Sequence, residues 1–172
     1  YTLGTKLMEG VHTVGLDFLD NGYETALVGK AHFQPLESTT EYPSLESYPL
    51  LQDLDFWKDA NENFYGFKTV ELARNHTNEA HVGQHYAIWL EENGCDNWRD
   101  YYLKPTGYQN KGEFGHTWEI PEQYHYNTWI SQRSCALLEQ YKTDDVPFFL
   151  WSSFFDPHPN YMVPEPWASM YD

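Results

Sequence analysis

An α/β fold with a mostly parallel central sheet is predicted by three features of the sequence. A short capped helical pattern at 13–20 passes through a Gly turn into the apolar run Thr25-Ala26-Leu27-Val28-Gly29. A longer helical pattern at 127–141 passes through Thr143-Asp144-Asp145 into the run 146–155. Neither run alternates polar and apolar residues. Strands that are apolar on both faces, each preceded by a helix, belong to parallel sheets covered on both sides.

Taken in order, Thr13 caps the first helix, Val14, Phe18 and Leu19 share one face, and Asp20-Asn21-Gly22 stops it. The strand at 25–29 follows. Residues 36–67 carry Pro43, Pro49, many acids and scattered aromatics without a period, so an irregular insertion with no assigned element is expected there. Val82, Tyr86, Trp89 and Leu90 fall at helical spacing and predict a helix over 78–92, stopped by Asn93-Gly94. Residues 95–121, rich in Gly, Tyr and Asn, read as loop. Ile130, Ser134, Leu137, Leu138 and Tyr141 form the stripe of the third helix, with Cys135 inside it as a core residue. Pro147 then precedes Phe148-Phe149-Leu150-Trp151, and the run closes on Phe154-Phe155 as a central strand.

The chain has 172 residues, 26 Asp plus Glu against 10 Lys plus Arg, a formal net charge of −16, 41% hydrophobic and 18% aromatic residues. That length suits one domain, and the aromatic content argues against disorder. So acidic a surface repels phosphate backbones and anionic headgroups, which excludes sequence-independent nucleic-acid binding and electrostatic membrane docking. No apolar run reaches the ~18 residues of a spanning helix, and no basic-apolar signal opens the chain. Tyr1 is not an initiator Met, which fits a processed or truncated product. Cys95 and Cys135 either form one bridge or stay reduced, and they lack the paired spacing of a zinc site. The sequon Asn75-His76-Thr77 matters only in a secreted protein.

Ligands of open α/β sheets bind beyond the carboxyl ends of strands. Two unusual clusters lie there: Gly29-Lys30-Ala31-His32 and Asp156-Pro157-His158-Pro159. Lys30 and His32, two residues apart in an extended segment, face the same way and can address one anion. Prolines on both sides restrict the backbone of His158. Together these groups make a cationic, proton-transferring pocket. Singly, Lys30 also reads as a solvated strand-end lysine and His158 as a turn residue. His81 and His85 have the i, i+4 spacing of metal ligands but no third ligand, and otherwise read as an exposed helix face. His12, His76, His116 and His125 read as surface or loop residues, and Glu91-Glu92 and Asp144-Asp145 as solvated helix ends. The tryptophans read as core.

Gly22-Tyr23-Glu24-Thr25-Ala26-Leu27-Val28-Gly29-Lys30-Ala31-His32 closely resembles the G-Y-x-T-A-x-x-G-K-x-H signature of the formylglycine-dependent sulfatases. Pro147-Phe148-Phe149-Leu150-Trp151-Ser152-Ser153-Phe154, followed by Pro157-His158-Pro159, resembles the later P-F-F-L-x-x-S-F-x-x-P-H segment of that family, and Pro164-Glu165-Pro166 with Met170-Tyr171-Asp172 resembles what comes after it. The resemblance covers most of the chain, least so 36–67 and 95–121. It implies an alkaline-phosphatase-like α/β/α sandwich, present only in part, and hydrolysis of a sulfate ester by a hydrated formylglycine beside Ca2+. It further implies that Lys30 contacts the aldehyde hydrate and the sulfate oxygens, that His32 takes a proton from the hemiacetal sulfate, and that His158 touches the sulfate and protonates the departing alcohol. An extracytoplasmic location, whether secreted, periplasmic or lysosomal, is implied as well.

The sequence departs from the family at the nucleophile, since no C/S-x-P/A-x-R motif is present. Cys95-Asp96-Asn97-Trp98-Arg99 has Asn97 where Pro or Ala is required and lies after Lys30 instead of before it, so it reads as a decoy. The family's metal-binding segments and second lysine would fall before Tyr1 and after Asp172. Residues 1–172 are therefore expected to be the middle of a catalytic domain, holding no metal by themselves and inactive alone. A phosphonate monoester or phosphodiester hydrolase of the same superfamily is the nearest alternative. A noncatalytic acidic carbohydrate-binding module is a more distant one. Residues 36–67 and 95–121 are the candidate substrate loops, with Tyr, Trp and Asn suited to a small-molecule or carbohydrate sulfate ester.

Overall fold

The computed structural model describes residues 6–8, 10–60, 63–74, 79–103, 115–158 and 161–171. Three strands, β1 (Glu24–Gly29), β2 (Thr69–Leu72) and β4 (Phe148–Ser153), form one sheet in the order β2-β1-β4, and both pairings are parallel. Glu24 lies opposite Phe148 and Gly29 opposite Ser153, while Ala26 to Gly29 face Thr69 to Leu72. A second parallel pair joins β3 (Gly115–Trp118) to β5 (Tyr161–Pro164). Parallel strands need covered crossovers, and the helices supply them. The predicted α/β class with a parallel sheet is the observed one.

Successive β1 side chains enter different cores, as a strand requires. Ala26 and Val28 pack in a cluster with Tyr86, Trp129 and Ile130, whereas Leu27 packs with Trp57, Phe67 and Leu72. Helix α5 (Tyr126–Asp144) covers the first face through Trp129, Ile130 and Leu137. Helix α1 (Val14–Asp20) lies over the second, where Phe18 stacks on Phe149 with ring centroids 4.3 Å apart. Thr13 caps α1 as expected, its hydroxyl accepting the Leu16 N–H and donating to the Tyr65 carbonyl at 2.6 Å.

Several expectations change. Among the described strands β1 is central and β4 lies at an edge, leaving Phe148, Trp151 and Phe154 between 37% and 48% exposed. The stretch 36–67 is not without elements: α2 (Leu54–Asp59) lies within it, capped by the Asp53 carboxylate on the Phe56 N–H. β2 follows that stretch and carries no sequence pattern of its own. The predicted helix over 78–92 is a 3-10 turn, Glu79–His81, and then α3 (Gln84–Glu92). The break has a packing cause. A Cβ on Gly83 would stand 2.0 Å from the Leu51 carbonyl oxygen, and Gln84 takes a φ of 56° to reach across the sheet end. Within 95–121 the chain forms α4 (Trp98–Leu103) and β3, so that stretch is not all loop. Cys135 is exposed, not core, and Cys95 is buried; both are free thiols. No described helix is long and apolar enough to cross a membrane.

Two histidines serve the fold as neutral acceptors. His125, 6% exposed and not a surface residue, caps α5 by accepting the Asn127 N–H on Nδ1. His85 Nδ1 accepts the Leu72 N–H at 3.0 Å. A protonated Nδ1 cannot accept, and burial pulls each down from 6.5 to about 4. Between those values the unfolded chain binds protons that the folded chain does not, so stability rises with pH across this window. Urea unfolding should show full stability above pH 6.5 and a loss approaching about 3 kcal/mol per histidine as pH falls through 4. His125→Asn keeps a cap acceptor without a titrating group and should remove roughly half of that loss.

Candidate active site

The site grows from the place where three strand ends are stapled together. Gly29 has a φ of 104°, and a Cβ there would stand 2.0 Å from the Ser153 carbonyl oxygen. Only glycine permits that approach. It lets the Lys30 N–H donate to Ser153 O at 3.2 Å on one side, while the Ala73 N–H donates to Gly29 O at 3.0 Å on the other. The residues that follow, Lys30 and His32 after β1, Arg74 after β2 and His158 after β4, thus leave the same edge of the sheet.

The segments after β4 and β1 are each held by a carboxylate. After β4, the His158 N–H donates to Phe155 O at 3.0 Å, and Asp156 accepts from the Tyr126 hydroxyl at 3.1 Å and Asn127 Nδ2 at 2.9 Å, both at the start of α5. After β1, Glu46 accepts the backbone N–H groups of His32, Phe33 and Gln34 at 2.7, 2.8 and 3.0 Å. Arg74, 5% exposed, donates from one guanidinium nitrogen to the Glu46 carbonyl at 3.0 Å, and its backbone N–H is received by the Gln84 side chain at 2.7 Å. Its Nε is buried and has no hydrogen-bond partner among the described residues.

Electrostatics tie these groups together. Burial pulls the His32 pKa below its usual 6.5, and the charges of Lys30, Arg74 and His158 pull it further. Lys30 is lowered by burial and by Arg74, against the charge of Glu46. His81 is lowered by burial and then by Arg74 and Lys30. An imidazole so surrounded is neutral near pH 7 and can take a proton, beside the cationic groups Lys30 and Arg74. Burial raises Glu46, while the three backbone amides and Arg74 lower it. Both of its oxygens already accept N–H bonds, so the ionised form is the one the structure accommodates.

Lys30, His32 and His158 are therefore brought to one corner, although His32, at a φ of 60°, does not continue the extended segment from which the spacing argument started. His81 and His85 are not a metal pair, because the break at Gly83 separates them and His85 is turned to the Leu72 N–H. Cys95 is 2% exposed with its thiol pushed up by burial, unlike an activated nucleophile. His76, the sequon and Pro159 lie outside the described residues. Among the described residues no group of three or more His, Cys, Asp or Glu side chains is arranged to hold a metal ion. Arg74 and Glu46 went unnoticed in the sequence. A strand assigned at 69–72 would have placed Arg74 at a strand end, whereas nothing local marks Glu46.

If the corner is as described, the His32 imidazole followed by NMR titrates below 6.5, and Lys30→Met moves it upward toward 6.5 by removing a neighbouring cation. A His32 titration indifferent to that substitution would place the two side chains apart.

The chain aligns over 153 residues, at 26% identity, with the multifunctional alkaline phosphatase superfamily protein PehA of Trinickia caryophylli; the match covers 87% of this chain and 26% of that protein. The chain thus spans about a quarter of the length of the relative it matches. No protein-family model matches the chain. The likeness is therefore to a protein of the alkaline phosphatase superfamily, is compatible with the parallel α/β sheet, and reaches no finer family within it.

Proposed function

We propose that residues 1–172 are the central part of a catalytic domain that hydrolyses a sulfate ester, on a small molecule or a carbohydrate, with Lys30, His32 and His158 as catalytic residues. The observation that carries the reading is the corner itself. In a chain of net charge −16, Lys30, His32, Arg74 and His158 lie within electrostatic reach of one another at one sheet edge. Local cations against an acidic background suit a tetrahedral oxyanion.

Each group then has a chemical task. Lys30, with Arg74 beside it, stabilises negative charge on the nonbridging oxygens as a nucleophile's oxygen bonds to sulfur. The S–O bond to the alcohol breaks, its electron pair stays on the alcohol oxygen, and His158 gives that oxygen a proton as general acid. His32, neutral in its surroundings, accepts a proton in the step that releases sulfate. The formylglycine nucleophile and the Ca2+ ligands that the resemblance implies would come from outside residues 1–172. The converging groups here, the cations Lys30 and Arg74 with two imidazoles, do not fit a Ca2+ ion, so no step is assigned to one. An aromatic-walled groove of about 820 Å3, lined by Trp57, Phe64 and Tyr65 and reaching Gln34, is the proposed seat of the alcohol.

A phosphonate monoester or phosphodiester presents a similar oxyanion, and the superfamily likeness embraces such hydrolases, so the test is comparative. The full-length protein, with its nucleophile intact, should have its highest kcat/KM for 4-nitrophenyl sulfate among the sulfate, phenylphosphonate and bis-phosphodiester esters of that alcohol. A higher value for either phosphorus ester would replace the sulfatase reading by that one, and hydrolysis of none would leave a binding module. Lys30→Ala should lower kcat/KM by roughly 10²–10³-fold. His158→Ala should slow an alkyl sulfate by about 10²-fold or more but a nitrophenyl sulfate far less, because only the poor leaving group needs the proton.

A further inference from the structure

Glu46 takes no part in the chemistry just outlined, yet it is 1% exposed and lies at the junction of all that surrounds His32. Three successive backbone N–H groups turned to one side form a concavity that ordinarily collects an external anion. Here an internal carboxylate fills it: Oε2 takes the His32 N–H, and Oε1 takes those of Phe33 and Gln34. The turn so gathered holds His32 at a φ of 60°, in the left-handed region that a residue with a Cβ enters only when its surroundings impose it.

Glu46 is itself anchored from both sides. Its N–H donates to Ser44 Oγ at 3.1 Å, and that hydroxyl donates to Pro35 O at 2.6 Å. The adjoining Leu45 N–H donates to Gln34 Oε1 at 2.7 Å, and Leu45 O accepts from Gln84 Nε2 at 3.2 Å. The Glu46 carbonyl receives Arg74. One residue therefore joins the segment after β1 to the residue after β2, using its side chain for the first and its backbone for the second.

We propose that Glu46 is the positioning residue of the corner: its carboxylate sets the left-handed turn from which His32 projects, and its carbonyl seats the Arg74 guanidinium. The reaction that this serves rests on the hydrolase reading above; the turn itself does not. Glutamine at this position keeps the shape but replaces one acceptor oxygen with a donor that faces backbone donors. Aspartate keeps the charge on a shorter stem.

Amide NMR and hydrogen exchange on the chain test the turn. The His32, Phe33 and Gln34 amides should be protected and should shift together with one carboxylate titration in acid. In Glu46→Gln the amides that face the replaced oxygen should exchange at least about tenfold faster, as donors without an acceptor do. In the full-length protein Glu46→Gln should lower kcat by about tenfold or more while KM changes little, with much of kcat restored in Glu46→Asp, because misplacing a catalytic group is paid in turnover. Wild-type amides that exchange as exposed loop amides do would overturn the proposal, and so would a Glu46→Gln enzyme of wild-type kcat. Should Glu46→Gln fail to fold, the wild-type amides and Glu46→Asp still decide. If no ester is hydrolysed, the hydrolase reading falls while the amide measurements still judge the turn.

Discussion

The close approach of β1 to the carbonyl of Ser153 is the constraint on which the rest of the molecule depends. Gly29 admits that oxygen where any side chain would collide with it, and the strand then ends in register with β4 on one side and β2 on the other. Register in a parallel sheet decides which residues share an edge. A slip of one residue would move Lys30 away from His158 and exchange the burial of Leu27 with that of Ala26 and Val28. The two cores and the basic corner are therefore outcomes of the same pairing.

The corner also shows how a strongly acidic chain keeps cations in place. Arg74 and Lys30 both feel the charge of Glu46. The oxygens of that buried Glu46 are already engaged by backbone amides, and Asp156, on the segment after β4, is drawn toward Tyr126 and Asn127. Carboxylates occupied in this way hold the segments without competing with an incoming anion for the cations. The same partly dry surroundings keep His32 neutral.

What was legible in the sequence was local. Thr13 at a cap, the uninterrupted apolar runs around Leu27 and Phe149, and the stripe Ile130, Ser134, Leu137 along α5 can each be recognised within a short window, because caps and periodic burial are short-range physics. Lys30, His32 and His158 were visible for the same reason, as odd residues at the ends of readable strands. β2 was not, since Thr69-Val70-Glu71-Leu72 is four residues with a charge among them, made a strand by lying against β1. The break at Gly83 depends on Leu51, thirty-odd residues earlier in the chain, and the partners of Arg74 and of the Glu46 carboxylate lie 10 to 28 residues away. Such pairings leave no periodic trace. His125 looked like a loop residue because a neutral imidazole cap is an uncommon choice beside Ser, Thr, Asp or Asn.

Phe148 and Trp151 stand exposed on β4 and Phe154 just after it, and β4 has β1 on one side and no other described strand beside it. An apolar strand with an open row of amides and carbonyls is a template for another copy of itself. Opposing this, every molecule carries a net charge of −16, whose repulsion acts over about 10 Å at 0.1 M salt and about 3 Å at 1 M. Salt therefore weakens the repulsion that holds two such edges apart.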